Sequence, residues 1–294
     1  MRTVFLGTTS FAAGVLTRLA GSEHRPVLVV TRPDRPRGRG RRLASPPVAD
    51  TARELGIELE QPSSVNDEEA RGRIAGVAPA AVCVCAFGAL IKEPLLSEYL
   101  MLNVHPSLLP RWRGAAPIER AMIAGDERTG VSIMRMTAGL DSGPVCAQAG
   151  VPIGHDDAYE TLAPRLEQLG GELLVRTLDE DPPCTEQDDS LATYAEKITA
   201  QDRKLDPARP AAELGRIVRA LTPHIGAHVE LQDGTTLGVR EAQVVPSGPP
   251  AGAVSLDGPR PVLGCGDGAL ELVVVQPPGR RAMTGEEYLR GLRR

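Results

Sequence analysis

The sequence predicts two domains: an α/β domain on a doubly wound, mostly parallel sheet over residues 1–178, then a linker over 179–206 and a smaller β-barrel of OB-like type over 207–294. Three observations carry this expectation. Up to about residue 178, short β-branched runs alternate with helix-like stretches, the rhythm of a sheet covered on both faces. Between Asp179 and Asp206 a polar, proline-containing stretch (Asp181-Pro182-Pro183, then Glu186-Gln187-Asp188-Asp189) breaks that rhythm. Beyond it, short strand-like runs separated by Gly, Pro and Asp recur at the spacing of a small barrel.

Taken in order, strands are expected at Thr3 to Gly7, Val27 to Thr31, Ile57 to Glu60, Ala81 to Ala86, Met101 to His105 and Val131 to Met136, each a short apolar run. Helices are expected at Ser10 to Ala20, Pro47 to Leu55, Asn66 to Gly76, Ala116 to Ala124 and Asp156 to Leu178, the first and last carrying Ser or Asp near their starts as caps. In the second domain a helix from Pro210 to Leu221 precedes strands at Ala227 to Leu231, Thr235 to Val245, Gly252 to Leu256 and Ala269 to Val275. Ligands of doubly wound sheets collect outside the carboxyl ends of the strands. His105 closes one strand there, and Ala86-Phe87-Gly88 closes its expected neighbour.

A chain of 294 residues with 41% hydrophobic and 24% charged residues has the composition of a globular protein. No stretch approaches the apolar length needed to cross a bilayer, so no membrane association is expected. The N-terminus opens directly on a strand, without a basic segment, apolar run and cleavage site, which reads as a cytoplasmic protein. Cysteines 83, 85, 146, 184 and 265 lack paired metal-ligand spacing and read as reduced core or loop thiols. No metal is expected. The net charge of −5 disfavours nucleic acid overall, but local charge decides such contacts.

The chemistry concentrates in Asn103-Val104-His105, the loop Pro106-Ser107-Leu108-Leu109-Pro110-Arg111-Trp112-Arg113-Gly114 and the turn Gly139-Leu140-Asp141-Ser142-Gly143. Side chains alternate along a strand, so Asn103 and His105 share a face while Val104 points the other way. Asp141 sits in a glycine-flanked turn able to come beside them. An amide, an imidazole and a carboxylate can hold a tetrahedral oxyanion, move a proton and orient its carrier. Each alone has a plain structural reading, but the company of so specific a loop favours catalysis. Gly7-Thr8-Thr9-Ser10 lacks the spacing of a dinucleotide fingerprint, which speaks against a nicotinamide cofactor.

These segments resemble the methionyl-tRNA formyltransferases, above all Ser107 to Ile118 and Gly139 to Gly143. Similarity extends over nearly the whole chain, through Phe5-Leu6-Gly7-Thr8, Arg32-Pro33-Asp34-Arg35-Pro36, Thr193-Tyr194-Ala195-Glu196-Lys197 and Gln276-Pro277-Pro278-Gly279. The resemblance implies transfer of a formyl group from 10-formyltetrahydrofolate to the α-amino group of methionine on initiator tRNA, giving formylmethionyl-tRNA for translation initiation. It implies catalytic roles for Asn103, His105 and Asp141, with Asp141 either taking the proton of the attacking amine, directly or through water, or keeping His105 charged. It also implies a folate slot lined by Ala86, Phe87, Gly88, Leu90 and Ile91 with Ser107, Leu108, Leu109 and Pro110, of which Phe87 and its neighbours have a plain reading as core strand and turn.

Residues 32–42 hold six arginines against one aspartate. Such a run is usually a solvated loop; here it follows a strand end on the catalytic side and suits a flexible arm that orders on RNA. The resemblance assigns the loop to the acceptor stem, so Arg35, Arg37, Arg39, Arg41 and Arg42 are candidate tRNA contacts. Arg280 and Arg281, with the terminal arginines, are candidates for a further phosphate-binding face or plain surface charges. Trp112 either stacks on a ligand or an arginine, or anchors its loop in apolar contact. Pro106 and Thr222-Pro223-His224-Ile225 depart from the family pattern. The intact trio speaks against a binding module that has lost activity, and the arginine loop and β-rich tail speak against a small acceptor, whether sugar amine, glycinamide nucleotide or water. A monomer is expected.

Overall fold

The structure is a computed structural model, and it describes residues 1–37 and 42–292. It divides into two compact units, one formed by Met1–Gly114, Thr129–Val151 and Ala163–Tyr194, the other by Ala115–Arg128, Pro152–Leu162 and Ala195–Arg294. Of the stretch read as a linker, residues 179–194 thus count with the first unit and 195–206 with the second.

The first unit is built on strands β1 (Thr3–Gly7), β2 (Pro26–Val30), β5 (Glu58–Glu60), β6 (Ala81–Cys85), β7 (Met101–His105), β9 (Arg128–Arg135) and β10 (Val145–Pro152), in the sheet order β10-β9-β7-β6-β1-β2-β5. Pairing is parallel from β7 through β6, β1 and β2 to β5, and antiparallel between β7 and β9. The mostly parallel sheet is as expected. Helix α1 (Ser10–Ala20) buries Phe11, Val15 and Leu19 with Ala12 and Leu16, the spacing of one helical face. Its cap is Thr9, whose hydroxyl accepts from Ala12 N–H at 3.3 Å, one residue before the serine that the sequence suggested. Helices α2 (Pro47–Glu54), α3 (Glu68–Gly76) and the short α4 (Leu95–Glu98) complete the covering layer. One core gathers Val4, Leu6, Leu28, Val30, Val82 and Val84.

The sequence reading misses β10, whose inward residues are small and whose burial is partial, because an edge strand of that kind has weak hydrophobic alternation. It also misses two short strands in the arginine segment, β3 (Arg35–Arg37) and β4 (Arg42–Ala44), which pair antiparallel, with Arg35 opposite Ala44 and Pro36 opposite Leu43. Backbone pairing does not need a hydrophobic core, so polarity concealed it. A second correction concerns sulfur: Cys146 and Cys184 form a disulfide. Val145 and Thr185 exchange both backbone hydrogen bonds at 2.8 Å, which sets residues 146 and 184 opposite one another. Spacing along the chain does not reveal such a pair. Cys83, Cys85 and Cys265 are free and buried, and burial pushes the Cys83 thiol up to about 12, so it is inert packing.

Short β8 (Arg113–Gly114) pairs with β11 (Tyr194–Ala195). Helix α6 (Tyr159–Glu180) begins in the second unit and continues in the first. In the second unit, α5 (Pro117–Ala124) packs on α7 (Ala211–Leu221), and the strands β12 (Ala227–Glu230), β13 (Thr236–Val245), β14 (Val254–Ser255), β15 (Val262–Gly264), β16 (Ala269–Gln276) and β17 (Met283–Thr284) pair antiparallel throughout. Helix α8 (Gly285–Leu292) follows. Leu214, Ile217, Val218 and Leu221 of α7 bury themselves among Val229, Leu237, Val239 and Leu270. Elements present in both readings agree in their bounds to within three residues. The strands β15 and β17 and helix α8 were too short or too polar to be read from the sequence. Among the described residues, no helix is long and apolar enough to cross a membrane.

Candidate active site

Strand β7 lies between β6 and β9, so both its edges are hydrogen-bonded, and every residue on it is buried, which holds its polar side chains in place. Asn103 and His105, two residues apart on one face, are 9% and 4% exposed. Asp141 comes from the turn joining β9 to β10, 38 residues away from Asn103. Because β9 runs antiparallel to β7, with Arg135 opposite Leu102 and Ser132 opposite His105, β9 ends beside the start of β7, and the turn after it folds back along the strand to bring Asp141 beside Asn103 and His105. Asp141 has φ of 45°, a left-handed conformation that few L-residues adopt unaided. Gly143 is required in the same turn, since a Cβ there would lie 2.0 Å from the Arg135 carbonyl oxygen.

The three side chains converge without using up one another's hydrogen-bonding capacity. Asn103 Nδ2 is 3.5 Å from Asp141 Oδ1, and His105 Nδ1 is 3.7 Å from Asp141 Oδ2. Both distances are at or beyond the useful limit for a hydrogen bond, so the amide and the imidazole remain able to turn to another acceptor. Oδ2 also accepts the Gly114 backbone N–H at 2.9 Å. Oδ1 is the less committed oxygen. His105 Nε2 is 2.9 Å from the Trp112 carbonyl oxygen, which only accepts, so Nε2 carries a hydrogen.

The loop after β7 is fastened from below. The Ser132 hydroxyl of β9 donates to the Ser107 carbonyl at 2.7 Å and accepts from Leu109 N–H at 3.1 Å, and Gln148 Nε2 donates to that hydroxyl and to the Leu109 carbonyl. Ser107 is fully buried and donates to the Arg111 carbonyl at 2.6 Å; Leu109 is buried, while Leu108 and Pro110 are half-exposed. Arg111 lies 4.4 Å over the Trp112 ring, the arginine stack of the two alternatives raised by the sequence.

Of the segment after β6, Ala86 and Gly88 are exposed with φ of 42° and 71°, and Leu90 is exposed. Phe87 and Ile91 instead pack in the sheet core, so their side chains build the wall rather than present a free surface. Three polar groups that sequence reasoning passed over shape this segment. Thr8 Oγ donates to the Phe87 carbonyl at 2.7 Å, Arg32 Nη1 to the Gly88 carbonyl at 2.7 Å and Asn66 Nδ2 to the Leu90 carbonyl at 2.8 Å. Also missed were buried Arg113, whose guanidinium binds Gln187 and Asp189, and Gln187 itself. Arg113 stands in the loop after β7 two residues from exposed Arg111, and nothing local in the sequence distinguishes the buried arginine from the exposed one.

Of the candidate tRNA contacts, Arg35, Arg280 and Arg281 are exposed. Arg39 and Arg41 lie outside the described residues, as do the side chains of Arg37 and Arg42. The departing turn 222–225 carries His224, which pairs with Glu119 at 2.9 Å and stacks on Tyr159 at 3.7 Å between ring centroids.

Several solved structures share the fold. HypX from Aquifex aeolicus, in a structure with tetrahydrofolic acid, aligns at TM-score 0.68 and 17% identity over 98% of this chain and 47% of its own. WlaRD, a sugar 3N-formyl transferase, aligns at TM-score 0.67 and 13% identity over 96% and 99%. Residues 1–178 match the formyl transferase family and residues 197–293 its C-terminal domain, and the chain belongs to this family. Similar in sequence are the methionyl-tRNA formyltransferases of Methylococcus capsulatus, 42% identical over 98% of this chain and 96% of the relative, and of Halorhodospira halophila, 42% identical over 99% and 96%.

Proposed function

We propose that this chain transfers the formyl group of 10-formyltetrahydrofolate to the α-amino group of methionyl initiator tRNA, in the cytoplasm, for translation initiation. The observation that carries this reading is the gathering of Asn103, His105 and Asp141 within 3.7 Å at the end of β7, in a chain about 40% identical along its length to methionyl-tRNA formyltransferases. The folate donor is supported by the tetrahydrofolic acid in HypX.

The amine attacks the formyl carbon, and the carbonyl oxygen gains negative charge. Asn103 Nδ2 and the His105 imidazole stabilise that oxygen in a site where both are largely out of water. The attacking nitrogen becomes cationic and gives its proton to Asp141 Oδ1, the oxygen that Gly114 does not occupy. The bond from the formyl carbon to the folate nitrogen then breaks, that nitrogen takes the proton, and the formamide and tetrahydrofolate leave. Gly88 and the loop 107–110 flank the folate, while the arginine hairpin and the antiparallel second domain with Arg280 and Arg281 hold the tRNA through its phosphates.

Incubation with 10-formyltetrahydrofolate and methionyl initiator tRNA should yield formylmethionine after deacylation, with no product from a sugar amine or a glycinamide nucleotide. Absence of formylmethionine, or mere hydrolysis of the folate, would refute the reading.

A further inference from the structure

We propose that Gln187 is a positioning residue for formyl transfer, a brace that holds Asp141 and its backbone donor in register; this rests on the role given to Asp141 above. Gln187 lies between the two family matches, in a polar stretch that composition marks as a mere connector. Its Nε2 donates to the carbonyls of Asp141 at 2.8 Å and Gly143 at 2.7 Å. Its Oε1 accepts from Arg113 Nε at 3.0 Å and Nη2 at 2.9 Å. Arginine only donates and carbonyls only accept, so the amide has one orientation and all its groups are matched.

The consequence lies in what each end holds. Toward one side Gln187 grips the turn in which Asp141 takes its left-handed φ of 45°, a conformation that persists only where the surroundings impose it. Toward the other it grips Arg113, the residue before Gly114, whose N–H binds Asp141 Oδ2 at 2.9 Å. A single amide thus sets the distance between a carboxylate and the donor that orients it. Arg113 is 3% exposed, with Nη2 also on Asp189 at 2.8 Å and its backbone N–H on the Thr193 carbonyl at 2.9 Å, so the anchor does not give. Displacing a catalytic group by about 1 Å is enough to lower turnover by about a hundredfold.

The test is a double-mutant cycle on the full chain. Gln187→Glu keeps the size and both Arg113 contacts but turns an acceptor toward two carbonyls; Gln187→Ala removes the brace altogether. Either should lower kcat at least tenfold with KM for folate and for tRNA within twofold of wild type. In an Asp141→Asn background the further loss should be under threefold, because a residue that acts through Asp141 has nothing left to position. Wild-type kcat in both Gln187 variants, equal losses in the two backgrounds, or melting well below wild type in both overturns the inference while leaving the active site intact. Full activity in Asp141→Asn alone instead overturns the reading of the site on which it rests.

Discussion

Replacing Asp141 by asparagine removes one charge and almost no volume. In the structure Oδ2 faces His105 Nδ1 at 3.7 Å and accepts from Gly114 N–H at 2.9 Å, and the side chains of Asp141 and His105 are 17% and 5% exposed. An asparagine that keeps its oxygen on Gly114 turns its NH2 toward Asn103 Nδ2, donor against donor. The attacking nitrogen becomes a cation beside this carboxylate, and a unit charge about 4 Å from a cation is worth about 4 kcal/mol at an effective dielectric near 20 and about 1 kcal/mol in bulk water. The low exposure puts Asp141 toward the upper end, roughly 3 kcal/mol, and at about 1.4 kcal/mol per decade this lowers kcat by roughly a hundredfold. Single-turnover formylation of methionyl-tRNA measures it, with folate and tRNA affinities and the melting temperature as controls. A variant within threefold of wild-type kcat, folded and saturated with both substrates, would refute the catalytic role.

Asn103→Ala or His105→Ala should each lower kcat by about 10² to 10³ and leave tRNA affinity largely unchanged, the scale for removal of an oxyanion donor; kcat and KM measured separately check this. Neutralising Arg35, Arg37, Arg39, Arg41 and Arg42 together should raise KM for tRNA and flatten its salt dependence without changing KM for folate, since these charges act on phosphate; equal loss for both substrates would contradict it. Asp202 is held down to about 2, chiefly by hydrogen bonds from Arg120 and then Thr199, against burial. Because its folded value is depressed, its stabilisation is complete above about pH 4 and lost as pH falls toward 2. Asp202→Asn should therefore cost about 1 kcal/mol at neutral pH, allowing for solvent screening, and the gap to wild type in melting curves should close over that acid window.

The fold was legible where burial writes a period into the residues. The parallel strands Thr3–Gly7, Ala81–Cys85 and Met101–His105 are buried end to end, and α1 and α7 show one apolar face each, so both the elements and their class can be read. The hairpin β3–β4 and the edge strand β10 left no such mark, because backbone pairing holds them and little side chain is buried. At the site, Asn103 and His105 share a strand and their common face follows from the pleat. Phe87 and Ile91 turned out to be core, a distinction that rests on which side of the sheet the chain covers after β6.

The residues alone determined the doubly wound domain, its antiparallel successor and the pairing of an amide with an imidazole at one strand end, since each depends on neighbours a few positions apart. Only the tertiary structure decided what arrives beside them: Asp141 across 38 residues, Gln187 against Asp141 across 46, and Cys184 against Cys146. The physical reason is strand order. Where β9 turns back along β7, and where the polar stretch after α6 returns to that turn, is set by how the sheet edge is finished, and no local pattern of hydrophobicity carries that information.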